Sequence, residues 1–150
     1  MAELVSIKTL YEGFFFELDE DELMYSPWSK PKLENRIDTP HITVYYKPSE
    51  LHEHYYGKRG LFELYEYGCD DKNEGYKVRY IKSDSIDVPW LFNLVDIPHV
   101  TISVSDDGKP KDTKNLDFKP CEIYRYEAVF GAMQLWVYDD GTKAMVMVLG

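Results

Sequence analysis

The chain is poor in cysteine, in basic charge and in long apolar runs, and each shortage removes a class of function. Cys69 and Cys121 are its only thiols. They lie far apart and lack metal-ligand spacing, so they read as two reduced thiols of a cytoplasmic protein and not as a disulfide framework or a metal site. Seventeen Lys and Arg stand against 27 Asp and Glu, a formal net charge of −10. A field of that sign repels a long polyanion, which makes extended DNA or RNA a poor partner. A small anion stays open to it, because a few cationic side chains and backbone N–H groups can dominate inside a pocket. The longest apolar stretch, Ala144 to Gly150, is far below the roughly 20 residues that cross a bilayer. The N-terminus has no basic segment followed by an apolar core, so neither a membrane span nor a secretory signal is expected.

What is present is aromatic. Phe, Tyr and Trp make up 15% of 150 residues and apolar residues 44%, enough to offset the entropy of ordering one compact domain. Short segments rich in Tyr, Phe, Val and Ile, separated by Pro, Gly and Asp, predict strands over 13–18, 41–46, 61–67, 76–81, 99–104, 123–130, 133–138 and 144–149. Asp139-Asp140-Gly141 predicts a hairpin between the last two. Short helices fit 48–55, 88–94 and 112–117, without sustained 3.6-residue periodicity.

One internal comparison carries the functional reading. Ile37-Asp38-Thr39-Pro40-His41-Ile42-Thr43-Val44 aligns without gaps on Val95-Asp96-Ile97-Pro98-His99-Val100-Thr101-Ile102, and two of the chain's four histidines fall in it. Such a repeat predicts two similar lobes, residues 1–150 forming one domain with one motif strand from each. Side chains alternate along a strand. His41, Thr43, Tyr45 and Lys47 are therefore expected on one polar face, and His99, Thr101, Ser103 and Ser105 on another, with Ile42, Val44, Tyr46, Val100, Ile102 and Val104 turned to the core. Each Pro marks a strand start, and Asp38 and Asp96 shape the turn before it.

Two imidazoles and two hydroxyls converging on one space suit displacement at phosphorus without a metal. One neutral His takes a proton from the nucleophile and the other, protonated, gives one to the leaving oxygen. Thr43 and Thr101 would hold the non-bridging oxygens. Tyr45, Lys47 and Ser103 are expected to bind substrate, with Tyr45 stacking on a base.

The paired Pro-His-x-Thr strands resemble the two signature motifs of the 2H phosphoesterase superfamily. The resemblance implies an α+β, bilobal fold in which two antiparallel sheets related by a pseudo-twofold line a central cleft. It implies catalytic roles for His41 and His99, phosphate binding by Thr43 and Thr101, and no cofactor. It also implies a small nucleotide or oligonucleotide substrate, as for phage-type members that degrade cyclic oligonucleotides. RNA termini bearing 2′,3′-cyclic phosphates and sequestration without cleavage are the alternatives. Outside the motifs, His52 and His54 have the wrong spacing for a zinc pair and read as a solvated loop or helix. Gly57-Lys58-Arg59-Gly60 and Gly108-Lys109-Pro110-Lys111 read as turns or as loops able to close over a phosphate.

Overall fold

Eight strands carry the fold in the computed structural model, which describes residues 1–150. They are β1 (Leu4–Phe16), β2 (Asn35–Arg36), β3 (His41–Tyr46), β4 (Arg59–Cys69), β5 (Asn73–Ser83), β6 (His99–Val104), β7 (Lys119–Tyr138) and β8 (Lys143–Val148). Only two short α-helices join them, α1 (Glu20–Met24) and α2 (Asp87–Phe92). The architecture is thus α+β and rich in antiparallel sheet. The two separate sheets expected are not present: every strand belongs to one hydrogen-bonded sheet, in the order β2-β6-β5-β4-β7-β1-β3, with β8 added to β7. β3 and β6 stand near opposite ends of that order and yet touch, so the sheet curls until its two motif strands meet.

One face of the curled sheet carries a single core to which six strands contribute: Phe14 and Phe16, Ile42, Phe62 and Leu64, Tyr76 and Val78, Val100 and Ile102, and Tyr126, Ala128 and Phe130. Val88, Leu91 and Phe92 of α2 and Trp28 complete it. Phe14 packs against Phe62 and Phe130 at centroid separations of 4.9 and 5.3 Å, and each such ring contributes roughly 1.5–3 kcal/mol by leaving water. On the opposite face, Phe15, Val129 and Met133 form a small second cluster.

The two motif strands are held in the same way. Thr43 pairs with Gly13 and Tyr45 with Glu12, leaving Val44 as an extra residue; Thr101 pairs with Gly75 and Ser103 with Glu74, leaving Ile102. Each is a β-bulge opposite a Glu-Gly pair. Glycine is required there, because a Cβ on Gly13 would lie 2.1 Å from the Ile42 carbonyl oxygen and one on Gly75 would lie 2.4 Å from that of Val100. Beyond each bulge the inward-outward alternation reverses.

β3 and β6 occupy the residues expected of them. β7 does not: it runs unbroken through Gly131, where a break was expected, because the small residue admits the Val148 carbonyl, 2.3 Å from where its Cβ would sit. The segment 48–55 is helical only as a 3-10 turn, Glu53–Tyr55, since the His52 backbone N–H is taken by Glu12 instead of by a helical carbonyl. The other segments expected to be helical are α2 and a 3-10 turn, Pro110–Asn115. α1 was not anticipated, although Asp19 and Glu22 form a capping box at its start. No helix is long and apolar enough to cross a membrane.

Gly13→Ala and Gly75→Ala should each destabilise the protein by about 2 kcal/mol or more, since a backbone carbonyl must move to admit the methyl group. Denaturant midpoints of the two variants against the wild type check this, and unchanged midpoints would show that the bulges are slack.

Candidate active site

The proline in each motif has a chemical consequence for the histidine after it. Pro40 and Pro98 lack an N–H, but their carbonyls begin the ladder, accepting from Phe16 and Val78 at 3.0 Å. The carbonyl one residue earlier lies outside the ladder and would be left without a partner. The imidazole fills that need: Nδ1 of His41 donates to the Thr39 carbonyl at 2.7 Å, and Nδ1 of His99 donates to the Ile97 carbonyl at 2.8 Å. A carbonyl can only accept, so the proton sits on Nδ1 in both rings. Nε2 is then the nitrogen left free in both, a lone pair when the ring is neutral and a donor when it is charged.

Both rings lie on the sheet face opposite the aromatic core. His41 pairs with Phe15 across β1, and His99 pairs with Lys77 across β5. They are near enough for the charge of His99 to act on His41. Burial pulls the His41 imidazole down to about 4; its bond to Thr39 opposes this, and His99 adds to it. The His99 imidazole is also lowered, first by burial, against the Ile97 bond, and then by the positive charge of Lys114. The ring of Tyr11 stacks on His41 with centroids 4.3 Å apart and planes 17° apart. Its hydroxyl, 3.4 Å from Nδ1, competes poorly with the shorter bond to Thr39. Burial pushes the Tyr11 phenol up to about 12, so it stays neutral.

The remaining expected residues divide. Thr43 is half-buried on the His41 face, and its hydroxyl makes no hydrogen bond within the protein. Thr101 is buried, and its hydroxyl meets both the Pro110 carbonyl at 3.2 Å and the Thr113 hydroxyl at 2.8 Å. The Pro110 carbonyl can only accept, so the single Thr101 proton goes to Pro110 and the Thr113 proton to Thr101, while Thr113 accepts from Asn73 at 3.1 Å. Ser103 was expected at substrate and is instead fully buried, donating to Glu74 at 2.7 Å and accepting from the Leu33 N–H at 3.2 Å. Tyr45 does not share the His41 face. The bulge at Val44 turns it toward the core, where it stacks on His52 at 4.1 Å. Lys47 adopts a left-handed conformation, φ 48°, and its ammonium lies over Tyr46, 5.4 Å from the ring centroid.

Sequence reasoning missed Tyr11 and placed Tyr46 on the core face. Tyr46 pairs with Tyr11 and so takes the place on the His41 face assigned to Tyr45, with its side chain 72% exposed. It also missed Glu12 and Glu74, both buried. Glu12 accepts from the His52 ring at 2.6 Å, the His52 N–H at 2.8 Å and the Tyr56 hydroxyl at 2.5 Å. His52 is therefore held at a buried carboxylate and only partly exposed, whereas His54 is exposed as expected. Lys58 and Arg59 are neutralised by Asp87 and Glu17. Asp38 and Asp96 are exposed, in keeping with a turn role.

Burial of His41 links stability to pH. Unfolded, the imidazole takes its proton near pH 6.5; folded, only at about 4. The unfolded chain therefore binds the extra proton between these values. Stability should be flat above pH 6.5 on this account and should fall as pH drops toward 4, by on the order of 3 kcal/mol. In denaturant unfolding across that window, His41→Gln should show a shallower fall than the wild type. Superimposable curves would mean that the ring is not desolvated. No protein-family model matches the chain and no curated protein matches it, so what these two imidazoles do has to be argued from their surroundings.

Proposed function

We propose that the protein is a metal-independent phosphodiesterase of the 2H phosphoesterase kind, cleaving small RNA-type nucleotides, with cyclic or short oligonucleotides as the first candidates. The observation that carries this reading is the matched pair of imidazoles, each with Nδ1 tied to the carbonyl before its proline and Nε2 left for chemistry. A structural histidine needs no such matched tautomer; an acid and a base that work on two oxygens of one phosphorus do. The equivalent bulges, Gly13 with Gly75 and Glu12 with Glu74, support the bilobal, pseudo-twofold arrangement expected of that superfamily.

The different surroundings of the two rings assign their roles. His41, titrating at about 4, is the stronger candidate for the base, because it is neutral at any pH near 7. His99, less perturbed, is the acid that protonates the leaving oxygen. In-line displacement then runs from a nucleophile deprotonated at His41 Nε2 to a leaving oxygen protonated at His99 Nε2. The Thr43 hydroxyl donates to a non-bridging oxygen. A net charge of −10 favours a small substrate over a long nucleic acid, and the exposed Tyr46 offers a surface on which a base can stack.

Three outcomes are expected. Incubated in excess EDTA with 2′,3′-cyclic, 2′-5′-linked and cyclic oligonucleotides, the protein should release cleaved products detectable by chromatography; activity abolished by chelation and restored by zinc or manganese would refute metal independence. His41→Ala and His99→Ala should each lower turnover by about 10²–10⁴-fold while the protein stays folded. Near-normal rates in both would end the two-histidine mechanism. The profile of kcat/KM should rise through about pH 4 as His41 loses its proton. It should fall on the alkaline side at a pH below the ordinary histidine value near 6.5, as His99 loses its own. A maximum above pH 7 would reverse or void the assignment.

A further inference from the structure

The two halves of the site are not equivalent at the phosphate-binding position, and the difference has a structural cause. On the β3 side the Thr43 hydroxyl is free to donate. On the β6 side the only proton of Thr101 is committed to the Pro110 carbonyl, while its oxygen accepts from Thr113. The same contacts dock the 3-10 turn Pro110–Asn115 on β6. Asn73 holds the turn from β5 by donating to the Lys109 carbonyl at 2.7 Å and to Thr113 at 3.1 Å. Gly75 makes room for it, since a Cβ there would lie 2.3 Å from the Thr113 methyl. The residue after Thr113 is Lys114, exposed and in no ion pair. The lysine paired in register with His99, Lys77, is otherwise engaged: its ammonium lies 3.7 Å from Glu66 and over the Phe118 ring.

We propose that Lys114, brought beside His99 by the docked turn, binds the non-bridging phosphoryl oxygens on the β6 side, in the place that a motif hydroxyl takes on the β3 side. This rests on the reading of the site as a phosphodiesterase. The influence of Lys114 on the His99 titration is in keeping with that placement. An ammonium suits the position better than a hydroxyl in this protein. It supplies full positive charge where the overall field is acidic, and its hydrogen bond to a phosphoryl oxygen is charge-assisted. In the free protein that charge opposes protonation of His99. An anionic phosphate placed between the two offsets it, so substrate binding and loading of the acid go together.

The imidazole resonances of His41 and His99 should be followed by NMR during titration with inorganic phosphate, in the wild type, Lys114→Ala and Lys114→Arg. In the wild type, phosphate should shift both rings. Lys114→Ala should weaken phosphate binding by about 10-fold or more, as expected for loss of one charged hydrogen bond, and should raise the titration point of free His99. Lys114→Arg should retain most of both properties. Wild-type affinity in Lys114→Ala, with both rings still responding, would overturn the role of Lys114 alone. A wild-type protein in which neither ring responds to phosphate would overturn the phosphodiesterase reading, and this inference with it.

Discussion

The bond between each imidazole and the carbonyl that precedes its proline is the constraint on which the candidate site depends. It satisfies a backbone acceptor that the ladder cannot reach, because proline starts the strand with its carbonyl and has no N–H to offer. It also settles which nitrogen of the ring faces outward. A residue that satisfies the fold in this way has its orientation over-determined, by strand register below and by its own hydrogen bond above. General acid–base chemistry asks for that orientation, and here it comes from main-chain geometry without a carboxylate partner.

The bulges are the second level of the same construction. Each reverses the inward-outward alternation just beyond the Thr, so that the residue two positions further on turns to a buried glutamate or to the core. At β3 that residue is Tyr45, which packs against the core beside Glu12; at β6 it is Ser103, which bonds directly to Glu74. Both glutamates are fully supplied with donors: Glu12 by His52 and Tyr56, and Glu74 by Ser103, Tyr67 at 2.5 Å and the Lys32 N–H at 3.0 Å. A buried carboxylate left short of partners is expensive. The two therefore pin the segments around Lys32 and His52 to the sheet beside the motif strands.

The motif strands themselves were legible because a duplicated Pro-His-x-Thr run with apolar alternation specifies strand, face and start at once. Their ends, 41–46 and 99–104, fall where the pattern put them. What lay past the Thr was not legible, because alternation assumes an unbroken ladder and a bulge inserts one residue that the pattern does not mark. Tyr45, Tyr46 and Ser103 were misplaced for that one reason. The bulges did leave a signal in their partners: Glu12-Gly13-Phe14 and Glu74-Gly75-Tyr76 are themselves a repeat. They stand 62 residues apart, whereas the histidines stand 58 apart, so no single offset aligns both pairs. The commitment of the Thr101 hydroxyl was beyond reach of the sequence, since it depends on a turn nine residues later folding back onto β6.

The inequality between the halves is what the proposed unsymmetrical reaction requires of a nearly duplicated site. Two identical imidazoles that repel each other would still share one proton over a range of pH, but nothing would decide which ring carried it. Here burial under Tyr11 and beside Phe15 depresses His41, whereas His99 is less deeply set and answers to a nearby ammonium. In the free protein both lie below their ordinary value, so near neutrality both rings rest largely unprotonated. An anion held between Thr43 and the β6 side would favour the charged form of His99, while the desolvated His41 resists. On the proposed reading the substrate's own charge would select which ring becomes the acid, and in a protein carrying a net charge of −10 that selection would stay local to the place where the motif strands meet.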